Sequence, residues 1–256
     1  MTIPKGLNDA ALLFHRNLGE GRRDPGPAYV LPAMPPLLMV VVFTALFERI
    51  AETPGFGAGD YTDYLLPGAV VLTALLGAGF TATYLVQDAV GGYLDRLRLL
   101  PTSRGAMLGG RQAFEAVRVL PAAIVVTAVC VALGARIDGG VAGVAACLLL
   151  VALLSAAFSG LFHVAGLASG DPQTALALQP IGVVVGLVST ALVPASVAAS
   201  GLSDVARLNP ASVVVDGARA SLAGDVLSSH VAFALAICTA GIALTQLAVA
   251  RQLARA

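Results

Sequence analysis

Ser155, Ser159 and His163 recur every four residues along one apolar run, so on a helix they share a face. An imidazole beside a hydroxyl is the pairing that a nucleophilic hydrolase or transferase uses. Nothing acidic accompanies them, however, and Ala156 and Gly160 interleave with the serines. The simpler reading is a small-residue face that lets two helices approach, and no catalytic residue is assigned. His163 is also the one ionisable group well inside an apolar run, where proton relays are built. A relay of that kind needs intramembrane carboxylates as well, and Glu48 and Glu115 fall at the ends of apolar runs, where they read as interfacial groups. Gln179 and Gln246 read as hydrogen-bonding glue between helices. The single lysine, Lys5, precedes Gly6 with no glycine-rich turn before it, so it is no phosphate-binding loop. Cys130, Cys147 and Cys238 lack metal-ligand spacing and number three, which suits small hydrophobes and neither a metal site nor a disulfide framework.

The elements that position these groups follow from composition. Of 256 residues, 57% are hydrophobic and only 12% charged, far from the ~25% charge of a soluble domain. That excludes an ordinary soluble globule, a disordered chain and a nucleic-acid binder, and leaves an all-α polytopic membrane protein. Fourteen arginines against one lysine, with abundant Ala, Val and Gly, point to a GC-rich bacterial genome. Charges within the first 27 residues argue against a cleavable signal peptide.

A membrane helix needs about 20 mostly apolar residues. Six runs meet this, at 29–47, 65–86, 117–133, 141–168, 175–198 and 231–250, and they form a single domain over 1–256. Only Ser169-Gly170-Asp171-Pro172-Gln173 separates the fourth run from the fifth. Six spans place both termini on one side. If that side is cytoplasmic, the inner segments hold Lys5, Arg16, Arg22, Arg23, Arg96, Arg98, Arg104, Arg111, Arg118, Arg251 and Arg255, and the outer ones only Arg49, Arg136, Arg207 and Arg219. The positive-inside rule therefore predicts cytoplasmic termini. Tyr29, Tyr61, Tyr64 and Tyr84 fall near span ends, as interfacial aromatics do.

Two polar stretches are helical without being spans. In 7–23, Leu7, Ala11, Phe14 and Leu18 recur at helical spacing while Arg16, Asn17 and Glu20 lie elsewhere on the wheel, which predicts an interfacial helix lying on the membrane. In 90–104, Tyr93, Leu97 and Leu100 form an apolar ridge, preceded by two glycines and stopped by Pro101. Such a short helix either lies on lipid or offers its ridge to a partner's groove.

The run Gly92-Tyr93-Leu94-Asp95-Arg96-Leu97-Arg98-Leu99-Leu100-Pro101-Thr102-Ser103-Arg104, followed by Gly110-Arg111, resembles the signature of ABC-2 type transporter permeases, most of all the branch of daunorubicin-resistance drug-export permeases. Tyr64-Leu65-Leu66-Pro67-Gly68 is similar to that family's "YLxPG" element, and Asn209-Pro210 with Asp216 and Arg219 to its late "NP…D..R" element. Gln87-Asp88 departs from the glutamate-containing pair of many members.

The resemblance implies a transport subunit that is not itself an enzyme. In this reading Gly92, Tyr93, Leu94, Asp95, Arg96, Leu97, Arg98 and Pro101 form a coupling helix docking on a cytoplasmic ATPase subunit, which holds ATP and Mg²⁺. The 7–23 helix is the connecting helix, and 199–229 forms re-entrant outer helices before the last span. A second permease copy, identical or homologous, completes the pathway, for which Thr73, Thr81, Thr83, Ser189 and Thr190 on the second and fifth spans offer polar groups. The expected function is export of an amphipathic drug, natural product or lipid across a bacterial inner membrane, with both termini cytoplasmic. The alternative is an ion-coupled secondary transporter.

Overall fold

The computed structural model describes residues 5–23, 25–47, 60–78, 91–92, 104–169, 171, 173, 177–192 and 200–255. Among them every regular element is helical: α1 (Lys5–Arg23), α2 (Leu31–Phe47), α3 (Tyr61–Gly77), α4 (Arg104–Ala132), α5 (Gly140–Ser169), α6 (Pro180–Leu187), α7 (Ser200–Leu208), α8 (Pro210–Leu222) and α9 (Ser229–Arg255). A wide turn of π-helix, Gly26–Val30, leads into α2. Helices are what a bilayer demands, because each satisfies its own backbone polar groups.

Among the described residues, four helical stretches are long and apolar enough to cross a membrane, Ala28–Leu46, Leu108–Ala132, Gly140–Ser169 and Ser229–Gln252, and Tyr61–Gly77 is a shorter apolar helix. The sequence predicts six spans. The first, fourth and sixth lie on α2, α5 and α9. The second begins four residues earlier than expected, at Tyr61, and its last residues, 79–86, lie outside the described residues. The described residues of the fifth, 175–198, hold the eight-residue α6 followed by turns as far as Leu192. The break there is local chemistry that hydropathy does not register. Ser189 N–H bonds to Gly186 O at 3.2 Å instead of continuing the ladder. The Ser189 hydroxyl also donates to Gly186 O and accepts from Ala191 N–H, the competition by which serine interrupts helices.

The third span differs most. Expected at 117–133, it runs from Arg104 to Ala132, about nine residues more than a bilayer needs. Its first turns carry Arg111, Gln112, Glu115 and Arg118, all buried. Counting apolar residues stops at such groups, whereas the folded protein pairs Gln112 and Arg118 with neighbouring elements and Glu115 with Arg118.

The core runs along α3, which is buried almost throughout and is surrounded by α2, α4, α5 and α8. The amphipathic α1 packs on the first turns of α4, where a Cβ added at Gly110 would lie 2.7 Å from the Ala10 carbonyl oxygen. The last turns of α9 reach the same end of the bundle, with Gln252 Nε2 donating to Val164 O on α5. Large apolar side chains on the outside, including Leu31, Met34, Leu38 and Val41 of α2 and Phe233, Leu244 and Leu247 of α9, are exposed. A continuous apolar exterior of this kind requires lipid or a partner subunit.

Candidate functional site

Two separated stretches of sequence meet at the end of the bundle formed by the start of α3. The broken helix after α6 leaves backbone carbonyls without ladder partners, and in an apolar setting each must find a donor. Tyr64 Oη donates to Thr190 O at 2.7 Å, and Tyr61 Oη to Leu192 O at 3.2 Å. One turn further along α3, Gly68 lies against the Ala191 backbone so closely that no side chain fits between them. Tyr64 and Gly68 are thus the parts of Tyr64-Leu65-Leu66-Pro67-Gly68 that seat the broken strand of chain on α3.

The Asn209-Pro210 pair does the matching work from α8. Asn209 caps that helix, its Oδ1 accepting from Ala211 N–H at 2.9 Å, with Pro210 in the first helical position where its missing N–H costs nothing. Its other amide atom, Nδ2, donates to Val185 O at 2.7 Å. That is the carbonyl left open when Ser189 N–H turns to Gly186.

About two turns into α8, Asp216 and Arg219 pair at 2.9 Å. The Arg219 guanidinium carbon lies 4.3 Å from the centroid of the Tyr64 ring, a cation–π geometry. Its Nη2 reaches Thr190 O at 3.4 Å, the Thr190 hydroxyl donates to Asp216 Oδ1 at 3.5 Å, and Thr190 N–H donates to Ser212 Oγ at 3.1 Å. Around these groups lies an open cavity of about 370 Å³ lined by Tyr64, Thr190, Arg207, Ser212, Val213, Asp216 and Arg219.

A second polar cluster sits at the opposite end, near α1. Arg118 (3% exposed) grips Glu115 (0%) with both carboxylate oxygens, at 2.7 and 2.8 Å. The same guanidinium donates to Ala28 O and Gly77 O, each at 2.7 Å. Pro32 explains the first of these contacts, since it has no N–H to offer the carbonyl four residues back. Arg118 therefore ties the π-helical turn before α2, the end of α3 and α4 together. Glu115, expected at an interface, is instead a buried counter-ion, because Arg118 one turn away makes burial tolerable.

One turn toward α1, Gln112 Nε2 donates to Thr245 Oγ1 and Ala156 O, and Gln246 Nε2 donates to Gln112 Oε1 at 2.6 Å. Gln246 is thus the interhelical glue the sequence predicts, while Gln179 Nε2 is buried without a partner among the described residues. Ser155, Ser159 and His163 are fully buried on the face of α5 that packs inward. Gly160 on that face touches Gln112 and Thr245, where any Cβ would collide. That is a packing face for close helix approach, as expected.

The remaining predicted site residues divide sharply. Of the coupling segment only Gly92 is described, with a φ of 71°, and Tyr93, Leu94, Asp95, Arg96, Leu97, Arg98 and Pro101 lie outside the described residues, as do Thr81 and Thr83. Thr73 is buried and spends its hydroxyl on Val70 O at 2.6 Å. Ser189 and Thr190 stand in the broken segment beside the cavity. The meeting of Tyr64 with Arg219 is not visible in the sequence reading, which treats Tyr61 and Tyr64 as interfacial aromatics. Their i, i+3 spacing on one face, opposite a serine-interrupted run, is the signal that points to it.

Apolar helices wrapped around a buried α3, an amphipathic helix at one end and a broken segment held by α3 tyrosines at the other make a multi-pass membrane protein. The chain belongs to the ABC-2 type transporter family, whose model matches residues 10–223. It is similar to the daunorubicin resistance ABC transporter permease protein DrrB1 of Streptomyces coeruleorubidus, at 29% identity over 139 residues, which is 54% of this chain and 48% of that protein. The chain thus spans about half the length of this curated relative.

Proposed function

We propose that the chain is the transmembrane permease of an ATP-driven exporter, moving an amphipathic drug, natural product or lipid out of a bacterial cell. The observation that carries this reading is the family match over residues 10–223, which takes in the cavity-lining residues and the Glu115–Arg118 pair. The name of the similar resistance permease supports drugs as the substrate class. ATP and Mg²⁺ belong to separate cytoplasmic ATPase subunits, and the arginine distribution supports cytoplasmic termini. Two permeases enclose the pathway, with Thr73, Thr81, Thr83, Ser189 and Thr190 as its polar groups.

Energy enters through the 79–103 connection between α3 and α4. Tyr93, Leu94 and Leu97 dock on the ATPase, with Asp95, Arg96 and Arg98 as polar partners. Closure of the ATPases on ATP favours one of two permease arrangements by differential contact. Arg118 bonds to the last described turn of α3 and sits on α4, so displacement of that connection is passed to both helices as a unit.

Leu97→Glu tests the reading in proteoliposomes carrying the permease with its ATPase. The variant inserts normally, ATP hydrolysis persists, and ATP-dependent accumulation of a fluorescent cationic drug in inside-out vesicles falls to background. Normal transport by the variant refutes the coupling assignment. Accumulation driven by a pH gradient without ATP refutes the exporter reading in favour of an ion-coupled transporter.

A further inference from the structure

We infer that the cavity between the start of α3, α7 and α8 is a binding site for a phosphate-bearing anion, the headgroup of a membrane phospholipid. The inference goes beyond the transport reading and does not depend on it. The cavity, at about 370 Å³, falls within the ~300–1,000 Å³ of small-molecule sites. Its lining carries two guanidinium groups, Arg207 and Arg219, against one carboxylate, Asp216. That carboxylate is already engaged by Arg219 Nη1 and the Thr190 hydroxyl, so the site presents an excess positive charge.

The donors also exceed the acceptors. Arg207 is exposed and has no partner among the described residues. Asp204, on the same helix, does not line the cavity. Arg219 holds a buried Nε–H with no acceptor among the described residues, while the Tyr64 ring and Thr190 O fix the orientation of its guanidinium. Ser212 adds a hydroxyl to the wall. A planar guanidinium with spare N–H groups matches a phosphate in a two-pronged arrangement.

Depth selects the lipid as the source. Arg207 immediately precedes Leu208, which is 85% exposed, and Leu227 in the turn after α8 is 95% exposed. Short amphipathic helices with bare leucines beside an arginine settle at the boundary between acyl chains and headgroups, the level at which lipid phosphates lie.

The chain has no tryptophan, so Val213→Trp places a unique fluorescent reporter on the cavity wall. The full-length protein, delipidated in dodecyl maltoside, is titrated with phosphatidylglycerol, with uncharged diacylglycerol and with inorganic phosphate. Phosphatidylglycerol gives a saturable change that diacylglycerol does not, and Arg207→Gln raises its midpoint about tenfold. Arg207→Gln leaves the Asp216–Arg219 pair in place, and an unchanged melting temperature confirms its fold. Native mass spectrometry without the reporter then finds fewer phosphatidylglycerol molecules retained by that variant. Saturation by inorganic phosphate, with the same dependence on Arg207, supports the anion site and assigns it to the free ion. A titration without saturation, or a midpoint unmoved by Arg207→Gln, overturns the proposal.

Discussion

Arg118→Met removes a side chain that joins three elements of the bundle. The substitution preserves length and apolar stem but leaves the Glu115 carboxylate, fully buried, without its counter-ion, and takes the donors from Ala28 O and Gly77 O. Removing one partner of a buried ion pair costs about 3–5 kcal/mol, and each orphaned carbonyl adds about 1–3 kcal/mol. These terms share one relaxation and do not add in full, so we expect a loss of about 4–6 kcal/mol. At roughly 2–4 °C per kcal/mol for a chain of this size, the melting temperature falls by about 8–24 °C.

The chain supplies its own assay, because Cys130, Cys147 and Cys238 are free and buried. A maleimide dye that fluoresces on thiol capture reports unfolding in detergent as the three become accessible. Adding Glu115→Gln to Arg118→Met removes the stranded charge, and the double variant recovers part of the loss but not the two carbonyl contacts. Arg118→Lys retains one charge without the planar fork and falls between parent and Arg118→Met. The reasoning fails if Arg118→Met melts within 2 °C of the parent, a margin set by the ~2–4 °C per kcal/mol scale. A double variant less stable than the single one refutes the account of Glu115.

Gly68→Ala forces a methyl group into the Ala191 backbone. We expect a destabilisation of about 1–3 kcal/mol, seen as faster thiol capture of the same cysteines, and a variant as stable as the parent would show that the two segments do not touch. Asn209→Ala loses both the cap of α8 and the tie to Val185 O, which together stabilise by about 1–2 kcal/mol. Hydrogen exchange accelerates in 200–222 while α5 keeps its protection, and uniform exchange across both stretches would contradict this local role. Gly160→Leu drives a side chain into Gln112 and Thr245. It separates α5 from α4 and α9 and sharply lowers the yield of folded protein in detergent, whereas normal yield would mean that face is open.

Much of this architecture is legible from residue type and spacing. The amphipathic pattern around Phe14 and Leu18 marks α1, and the apolar runs of α2, α5 and α9 read almost to their observed ends, because a bilayer tests the mean hydropathy of about 20 residues and little else. The reading falters where polar groups are satisfied by distant partners. Gln112 and Arg118 look like the edge of a loop until Ala28, Gly77, Ala156 and Thr245 are seen beside them. The run 175–198 looks like a straight span because no hydropathy count records that Ser189 diverts its own ladder.

The same division holds for the candidate site. Tyr64, Gly68, Asn209, Asp216 and Arg219 stand out as motif residues, and their order along the chain suffices to suggest the family. That Tyr64 lies under Arg219 and bonds to Thr190, more than a hundred residues away, follows only from packing. Composition and periodicity are properties of neighbours along the chain, so they decide that helices form and that lipid surrounds them. Which buried donor meets which open carbonyl depends on helices that approach from far apart in sequence, and that was decided by the tertiary fold alone.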